Sequence, residues 1–436
     1  MKHVWKMTAA AMCMLGGVCF ADPAVAAVHE EPTAAGAVET QTLADELFPV
    51  REANRTSVQD GSEVILYTQQ STLHLDEVSA KKQPQYEAAL TYYSKRLLME
   101  GERAKKVLDS ELERRDYEAE EKQREAKRKK KDDIEITPEE TSEPEEPQLR
   151  LCDIREIFLR RADAKAMSIL VTHNYNHGGD HGNFTVQGYT HRPSGQSVSW
   201  RELFADPDAL PEVLEKKLRA KYTGVSFFDL YGALNDMAKR ESFIWTLDAD
   251  GITFYFAPYV LASYSEGMLT TFVSWRSEPE LFSAEWRKTD EAYAVELPVG
   301  RVFPVDLNGD GGEEELEVTG GMGEVFAVSY AGVSVSYPEE VTEVLATRLH
   351  TRDGRDYVYV DALRPDGRRG LFVWALTADG PEFIGISNLT LEMKEALGRR
   401  RIWQVLHNPE NFILWDDNTA SLVHCRANDK GMPEIE

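Results

Sequence analysis

The sequence predicts an α+β protein with a charged helical insertion, followed by a β-rich domain. Three observations predict it. An apolar stripe at steps of three and four follows Pro84. Short strand-like and helix-like runs alternate over residues 149–287. From Glu296 onward strand-like runs follow one another across Asp-Gly turns. Hydrophobic residues make up 42% of the 436-residue chain, enough to bury a sizeable core.

At the N-terminus, Lys2 and Lys6 precede an uncharged, apolar or small-residue stretch from Met7 to Ala21. Asp22-Pro23 then breaks any helix, and Ala24-Val25-Ala26 supplies the small-x-small pattern of a signal-peptidase site. A membrane span needs about 20 apolar residues, and this run is too short. Residues 1–26 are therefore expected to be a cleavable export signal. The mature chain is expected in a periplasm or secreted, not membrane-spanning. The formal charge is -26, and Lys2, Lys6 and Asp22 leave with the signal (+1), so the mature chain stands at -27. That balance argues against nucleic acid or anionic lipid as partner. It favours approach of a cationic protein, although solubility alone would also account for it. Cys13 and Cys19 leave with the signal. Cys152 and Cys425 remain, and the sequence leaves open whether they form a disulfide.

Residues 27–60 are expected to be a flexible entry segment, ahead of an α+β domain over 61–290. Val64-Ile65-Leu66-Tyr67 and Thr72-Leu73-His74-Leu75 read as two strands. Behind Pro84, the residues Tyr86, Leu90, Tyr93, Leu97, Ala104, Leu108 and Leu112 share one helical face. Past Leu112 the stripe ends, and residues 113–131 are almost wholly charged, closing on Lys127-Arg128-Lys129-Lys130-Lys131. A helix polar all round has no face to bury and should project into solvent or fray. Residues 132–147 are rich in Glu and Pro and are expected to be a disordered linker. The insertion thus spans 113–147. The basic run and acidic linker read either as mutually neutralising or as a binding tail.

Ser168-Ile169-Leu170-Val171, Phe184-Thr185-Val186 and Ser197-Val198-Ser199 are strand-like. Ser199-Trp200-Arg201-Glu202 has the Ser-x-x-Glu form of a capping box. Pro211 opens a helix carrying Val213, Leu214 and Leu218. Asp248-Ala249-Asp250-Gly251 is the expected turn of a hairpin between 243–247 and 252–256. The two aspartates read as turn residues rather than as a catalytic pair. The β-rich domain is expected over 296–436. Its strands include Tyr357-Val358-Tyr359-Val360 and Leu371-Phe372-Val373-Trp374 around Asp366-Gly367, then Phe383-Ile384-Gly385-Ile386 after Asp379-Gly380.

Several separated pieces carry a family resemblance. Arg161-Ala162-Asp163 through Ser168, Gly178-Gly179-Asp180-His181-Gly182 and Trp200-Arg201-Glu202-Leu203-Phe204 resemble the extracellular domain of RsiV-type anti-sigma factors. Phe254-Tyr255-Phe256-Ala257-Pro258-Tyr259, with Ala262, Tyr264 and Gly267, is similar to that family's C-terminal signature. The match covers roughly residues 60–280. It implies an α+β ectodomain that in RsiV itself binds host lysozyme and triggers a stress response. Related modules sit beside polysaccharide deacetylase domains. The resemblance marks Gly178, Gly179, Asp180, His181 and Gly182 as a structural and ligand-binding loop, although the family usually has Ala where Asp180 stands. Only Met1–Lys6 precede the apolar run, so this chain is not expected to hold a sigma factor. Lysozyme is strongly basic, which suits an acidic partner.

Two constellations could carry chemistry. His173, His177 and His181 form a His-x3-His-x3-His run that could hold zinc for a cell-wall glycan enzyme. Gly178 and Gly179 among them mark a turn instead. Asn174 stands where a deacetylase signature needs Ser or Thr, and there is no Gly-x-Ser-x-Gly, Walker loop or dinucleotide fingerprint. No catalytic residue is expected. The second constellation is Asp306-Leu307-Asn308-Gly309-Asp310-Gly311, which sets oxygen ligands at alternate positions and Gly at the sixth. Glu317 falls at the twelfth position. The flanks read as strands, as in FG-GAP-type loops, where Gly312 would lend its carbonyl and Glu314 its carboxylate. A structural Ca²⁺ held by Asp306, Asn308, Asp310, Gly312, Glu314 and Glu317 is expected; the alternative is an ion-free acidic hairpin tip. The sequence thus points to a non-catalytic binding protein of the cell envelope, for lysozyme or another cationic protein. The other reading is an accessory module or metal-dependent enzyme of cell-wall glycan modification.

Overall fold

Alternating inward and outward side chains make the first hairpin, in which β1 (Pro49–Asp60) turns back antiparallel into β2 (Glu63–Leu75). The computed structural model describes residues 47–60, 63–132, 151–179, 182–286, 292–321, 323–393 and 401–436. The expected export signal and the Glu/Pro-rich linker at 133–147 lie outside the described residues. Two expectations change here. Residues 49–60 belong to a strand and not to a flexible entry, and the two short strands at 64–67 and 72–75 are one. The polar residues that obscured them are bonded inside. Gln69 meets Arg55 at 2.7 Å and Glu156 at 2.7 Å, and the Ser71 hydroxyl accepts from the Ile157 amide at 3.0 Å.

Asp76 caps the short helix α1 (Glu77–Lys82), and α2 (Pro84–Asp132) follows as one rod of 49 residues. The stripe lies against the sheet as predicted: Tyr86, Leu90, Tyr93, Leu97, Ala104 and Leu108 are all buried. At Gly101 the helix comes so close to β2 that an added Cβ would lie 2.0 Å from Gln70 Nε2. Beyond Leu112 most described side chains are exposed, and ions such as Arg124 and Glu120 pair one turn apart.

Helix α2 is the crossover between β2 and the parallel strand β3 (Leu151–Ala162), which continues antiparallel into β4 (Met167–Asn176) and β5 (Asn183–His191). Ser199 and Glu202 form the expected capping box on α3 (Trp200–Leu203). The helices α4 (Leu210–Lys221) and α5 (Leu230–Lys239) then cover a three-stranded sheet of β6 (Ile244–Leu247), β7 (Gly251–Phe256) and β8 (Leu269–Ser274). Trp200, Leu214, Leu234, Phe254 and Trp275 lie in its core. The expected strand at 197–199 is reduced to one bridge between His191 and Ser197.

The remaining chain is strands, as predicted. They are β9 (Tyr293–Leu297), β10 (Val302–Val305), β11 (Glu314–Gly321), β12 (Glu324–Tyr330), β13 (Val333–Val341), β14 (Glu343–His350), β15 (Asp356–Leu363), β16 (Arg369–Thr377), β17 (Gly380–Ser387), β18 (Leu389–Thr390), β19 (Glu392–Met393), β20 (Arg401–Gln404), β21 (Phe412–Asp416), β22 (Ser421–Ala427) and β23 (Pro433–Ile435). The five-stranded sheet β17-β16-β15-β14-β9 is covered on both faces except along its edge strand β17. Phe326, Phe372 and Trp374 pack between it and the sheet β10–β13, and Tyr359, Leu371 and Leu414 between it and β18-β21-β22-β23. Cys152 and Cys425 are free thiols on different sheets.

The expected boundary near residue 290 is not a boundary between separate bodies. The seven-stranded sheet runs β19-β20-β1-β2-β3-β4-β5, so strands from the C-terminal part pair with β1. The described residues from Leu47 onward belong to one compact unit. Buried charges join the same parts. Arg51 donates to Glu296 at 2.7 Å, Arg348 to Asp250 at 2.9 Å, and Arg160, paired with Asp248 at 2.7 Å, also to the Glu296 carbonyl at 2.5 Å. The hairpin turn at Asp248–Asp250 is therefore a buried ion-pair site, although both residues sit where a turn was expected.

Burial alone would raise the Asp356 carboxyl, but the Arg348 charge and hydrogen bonds from His350 and Arg348 hold it below the ordinary carboxylate range. A depressed folded pKa means stabilisation that is complete above the unfolded value of about 3.9 and lost as pH falls through the folded value. In urea titrations, the stability gap between the native chain and Asp356→Asn should stay level down to about pH 4.5 and narrow below about 3.9. A gap that stays level throughout would show that Asp356 carries no such depression.

Candidate functional site

Strand β4 places alternate residues on one side, which brings His173, Tyr175 and His177 together at the end of the strand. Asp153 on β3 lies opposite Tyr175. Both imidazoles converge on it: His173 Nε2 and His177 Nε2 each lie 2.8 Å from Asp153 Oδ2. The carboxylate is buried, while the two histidine side chains keep 17% and 25% exposure, so solvent reaches the imidazole side. Arg155 Nε donates to Asp153 Oδ1 at 2.7 Å, and its other arm reaches Glu100 of α2 at 2.9 Å. Burial would push the Asp153 carboxyl up, but the His173 and Arg155 hydrogen bonds outweigh it and hold the group low. Asp153, His173 and His177 are a set whose ligand atoms lie within 4.8 Å of one another.

The sequence reading combined His173 and His177 with His181. The structure brings the first two together and adds Asp153, which that reading missed. Asp180 and His181 lie outside the described residues. The signal that could have found Asp153 is weak, because it comes from the neighbouring strand. Of the glycine loop, Gly178 has φ +101° and its Cα side faces Glu111 of α2, where an added Cβ would lie 2.6 Å from Cδ. Gly179 follows in the same bend, and the Gly182 carbonyl accepts from the Tyr264 hydroxyl at 2.5 Å.

Tyr264 leads to an aromatic surface. Its ring lies 5.5 Å from that of Tyr259, which is held at φ 68°, a left-handed conformation uncommon outside glycine. The Phe228 amide bonds to the Leu261 carbonyl at 2.9 Å, which sets the start of α5 beside this segment. Phe228, Tyr231 and Tyr259 are 57%, 48% and 67% exposed. Grouped exposed apolar side chains mark candidate contact surfaces, and aromatics are enriched in protein interfaces.

The acidic loop closes between β10 and β11. Asp306 Oδ1, Asn308 Oδ1 and Asp310 Oδ1 accept from the amides of Gly309, Asp310 and Gly312 at 2.8, 2.8 and 2.7 Å. Glu314 joins them: its oxygens accept from the Leu307 amide at 3.0 Å and the Asn308 side-chain amide at 2.6 Å. Asp306 is buried, yet its Oδ2 has no hydrogen-bond partner. Burial pushes the Glu314 carboxyl up, and the negative charges of Asp306 and Asp310 add to the rise. A buried carboxylate oxygen without a donor is costly to leave unpaired. Lys217 reaches the Gly311 carbonyl at 3.3 Å, but Glu278 pairs with it at 2.7 Å. Glu317 does not belong to this loop. It pairs with Val302 within the sheet and its charge acts on Arg301, because a strand begins at Glu314 and carries it away. The adjoining Glu313, which the sequence reading passed over, bonds to Lys221 at 3.1 Å and to the Phe272 amide at 2.9 Å, anchoring the loop to α4 and β8.

The fold and these sites define a mixed α+β protein with a β-rich C-terminal part. A family model described as DUF3298, a protein of unknown function, matches residues 201–276. That segment includes α4, α5, the β6–β8 sheet and the aromatic surface. The chain is similar to two solved DUF3298-family structures. One, from Bacteroides fragilis, is 14% identical with a TM-score of 0.33, over 55% of this chain and 95% of that one. The other, from Pseudomonas aeruginosa, is 12% identical with a TM-score of 0.31, over 56% and 98%. No curated protein matches. Among the described residues no helix is long and apolar enough to cross a membrane.

The left-handed backbone at Gly178 gives a direct check on the loop. Gly178→Ala should cost about 1–3 kcal/mol in urea denaturation. An unchanged midpoint would mean that the backbone relaxes to a conformation that alanine accepts.

Proposed function

We propose that this is a non-catalytic exported binding protein of the cell envelope, whose partner is lysozyme or another basic wall-associated protein. The observation that carries the reading is the aromatic surface of Phe228, Tyr231 and Tyr259 within the DUF3298-matched segment. Aromatic anchors dominate the energetics of protein interfaces, and a strained Tyr259 is the kind of feature retained where a surface has work to do. The resemblance of the Gly178–Gly182 loop and the 254–267 segment to lysozyme-sensing ectodomains supports the choice of partner. Charge supports it too. The buried arginines are matched by buried acids, so most of the excess behind the -26 lies outside the core. Such a surface steers a cationic protein inward.

The acidic loop serves this reading as a staple. Asp306, Asn308, Asp310 and Glu314, with the Gly312 carbonyl, would hold Ca²⁺, which prefers six to eight oxygen ligands and a flexible shell. The ion would neutralise carboxylates that otherwise repel, and would brace the turn that Glu313 ties to α4.

Calorimetric titration of residues 27–436 with lysozyme, at low and moderate salt, tests the partner. Saturable binding at fixed stoichiometry is expected, weakening as salt screens the attraction. Tyr259→Ala or Phe228→Ala should weaken it by about 1–2 kcal/mol or more. No heat at either salt would remove the lysozyme reading, and binding untouched by both variants would remove the aromatic surface from it. Calcium is checked separately by thermal melting. At about 100 times its Kd, Ca²⁺ should add about 2.7 kcal/mol of stability. Asp310→Ala should abolish that gain; a native chain that melts alike with Ca²⁺ and with chelator would make the loop an ion-free turn.

A further inference from the structure

We propose that Asp153, His173 and His177 form a binding site for one divalent transition-metal ion of the zinc class. This goes beyond the binding reading and does not depend on it.

Two imidazole nitrogens, both Nε2, point at the same carboxylate oxygen, each at 2.8 Å. The two histidines come from β4 and the turn after it, while the carboxylate comes from the neighbouring strand β3, so local turn chemistry alone does not bring the three together. Around a tetrahedral zinc, with bonds of roughly 2.0–2.1 Å, neighbouring ligand atoms lie about 3.3 Å apart. The two histidine–aspartate contacts would each open by about 0.5 Å to seat an ion, and all three ligand atoms already lie within 4.8 Å of one another. Two neutral imidazoles and one carboxylate suit zinc, nickel or copper rather than calcium or magnesium, which take oxygen shells. Exposure of the two histidines leaves a fourth position open to water or to a side chain of a partner.

The surroundings match the second shell such a site needs. Metal-bound carboxylates are themselves held by hydrogen bonds, and here Arg155 clamps Asp153 from behind, Nε to Oδ1 at 2.7 Å and Nη2 to Oδ2 at 3.2 Å, while Oδ2 also faces the imidazoles. The arginine charge would oppose an added cation, but Glu100 offsets it at 2.9 Å. His173 is stacked on Tyr175 with ring centroids 4.3 Å apart, which fixes its plane. An ion there would tie β3 to the turn after β4 and so brace the start of the Gly178–Gly182 loop. That loop meets Tyr264, next to Tyr259 of the aromatic surface.

The test uses the untagged full mature chain, stripped with chelator, and titrates Zn²⁺ against a competing dye. One zinc per chain is expected, with affinity falling at least ~10-fold in His173→Ala and in His177→Ala while far-ultraviolet dichroism is unchanged. Asp310→Ala, in the acidic loop, should leave zinc affinity as it is. X-ray absorption of the zinc-loaded native chain needs no variant and should show two imidazole ligands at roughly 2.0–2.1 Å. No zinc uptake, uptake equal in native and both histidine variants, or a spectrum without imidazole ligands would each overturn the site. The histidines would then be plain hydrogen-bond donors to Asp153. Lysozyme titration of the metal-free chain reads the binding proposal independently, so either can fail alone.

Discussion

A charge taken out of water must be paired, and in this protein the partners come from distant parts of the chain. Arg51 on the first strand meets Glu296 on β9, and the same carboxylate oxygen accepts from the Leu159 amide at 2.9 Å. Arg160 spans from Asp248 in the hairpin turn to the Glu296 carbonyl. Arg348 on β14 reaches back to Asp250 in the same turn. Removing one member of such a pair leaves a buried, uncompensated charge, so each pair demands the others' strands in register. The joint between the N-terminal sheet, the β6–β8 hairpin and the five-stranded sheet is built around this requirement. A small cavity lined by Arg51, Glu156, Glu296 and Trp403 lies where the N-terminal sheet meets the five-stranded sheet.

The surface features inherit their geometry from that joint. With β3 and β4 fixed in register, Asp153 faces the histidines of the neighbouring strand, and Gly178 can turn tightly over Glu111 of α2. With β10 and β11 fixed, the acidic loop projects toward α4, where Glu313 is caught by Lys221 and the backbone of β8. The aromatic surface depends on a local device instead, the bond from Phe228 to Leu261 that lays α5 beside the 257–264 turn. Three different chemistries, imidazole with carboxylate, carboxylate alone, and exposed aromatic, thus sit on one continuous scaffold.

Much of the scaffold was legible because it rests on periodicity. The stripe from Tyr86 to Leu108 needs only the helical repeat to find its buried face, and the capping box at Ser199 and Glu202 is complete within four residues. The runs at 357–360 and 371–374 are apolar throughout because β15 and β16 are covered on both faces. The acidic loop was legible for the same reason, because its side chains lie close in sequence; Glu317 alone falls outside it, carried off by the strand that begins at Glu314. What escaped was polar and non-local. Residues 49–60 looked too polar for a strand, and the boundary near 290 looked clean because its bonds are made by Arg51, Arg160 and Arg348 across long stretches of chain.

The sequence by itself determined the α+β class, the long helix with its buried and exposed halves, the strand-rich C-terminal part and the calcium-type spacing at 306–314. Each depends on residues close enough in the chain for period, cap or turn chemistry to decide. Only the tertiary structure decided that the parts share one sheet, that the aspartates of the 248–250 turn are buried ion-pair partners, and that Asp153 completes a triad with His173 and His177. A buried charge selects its partner by position in space, and neither strand carries in its own spacing any record of which residue will face it.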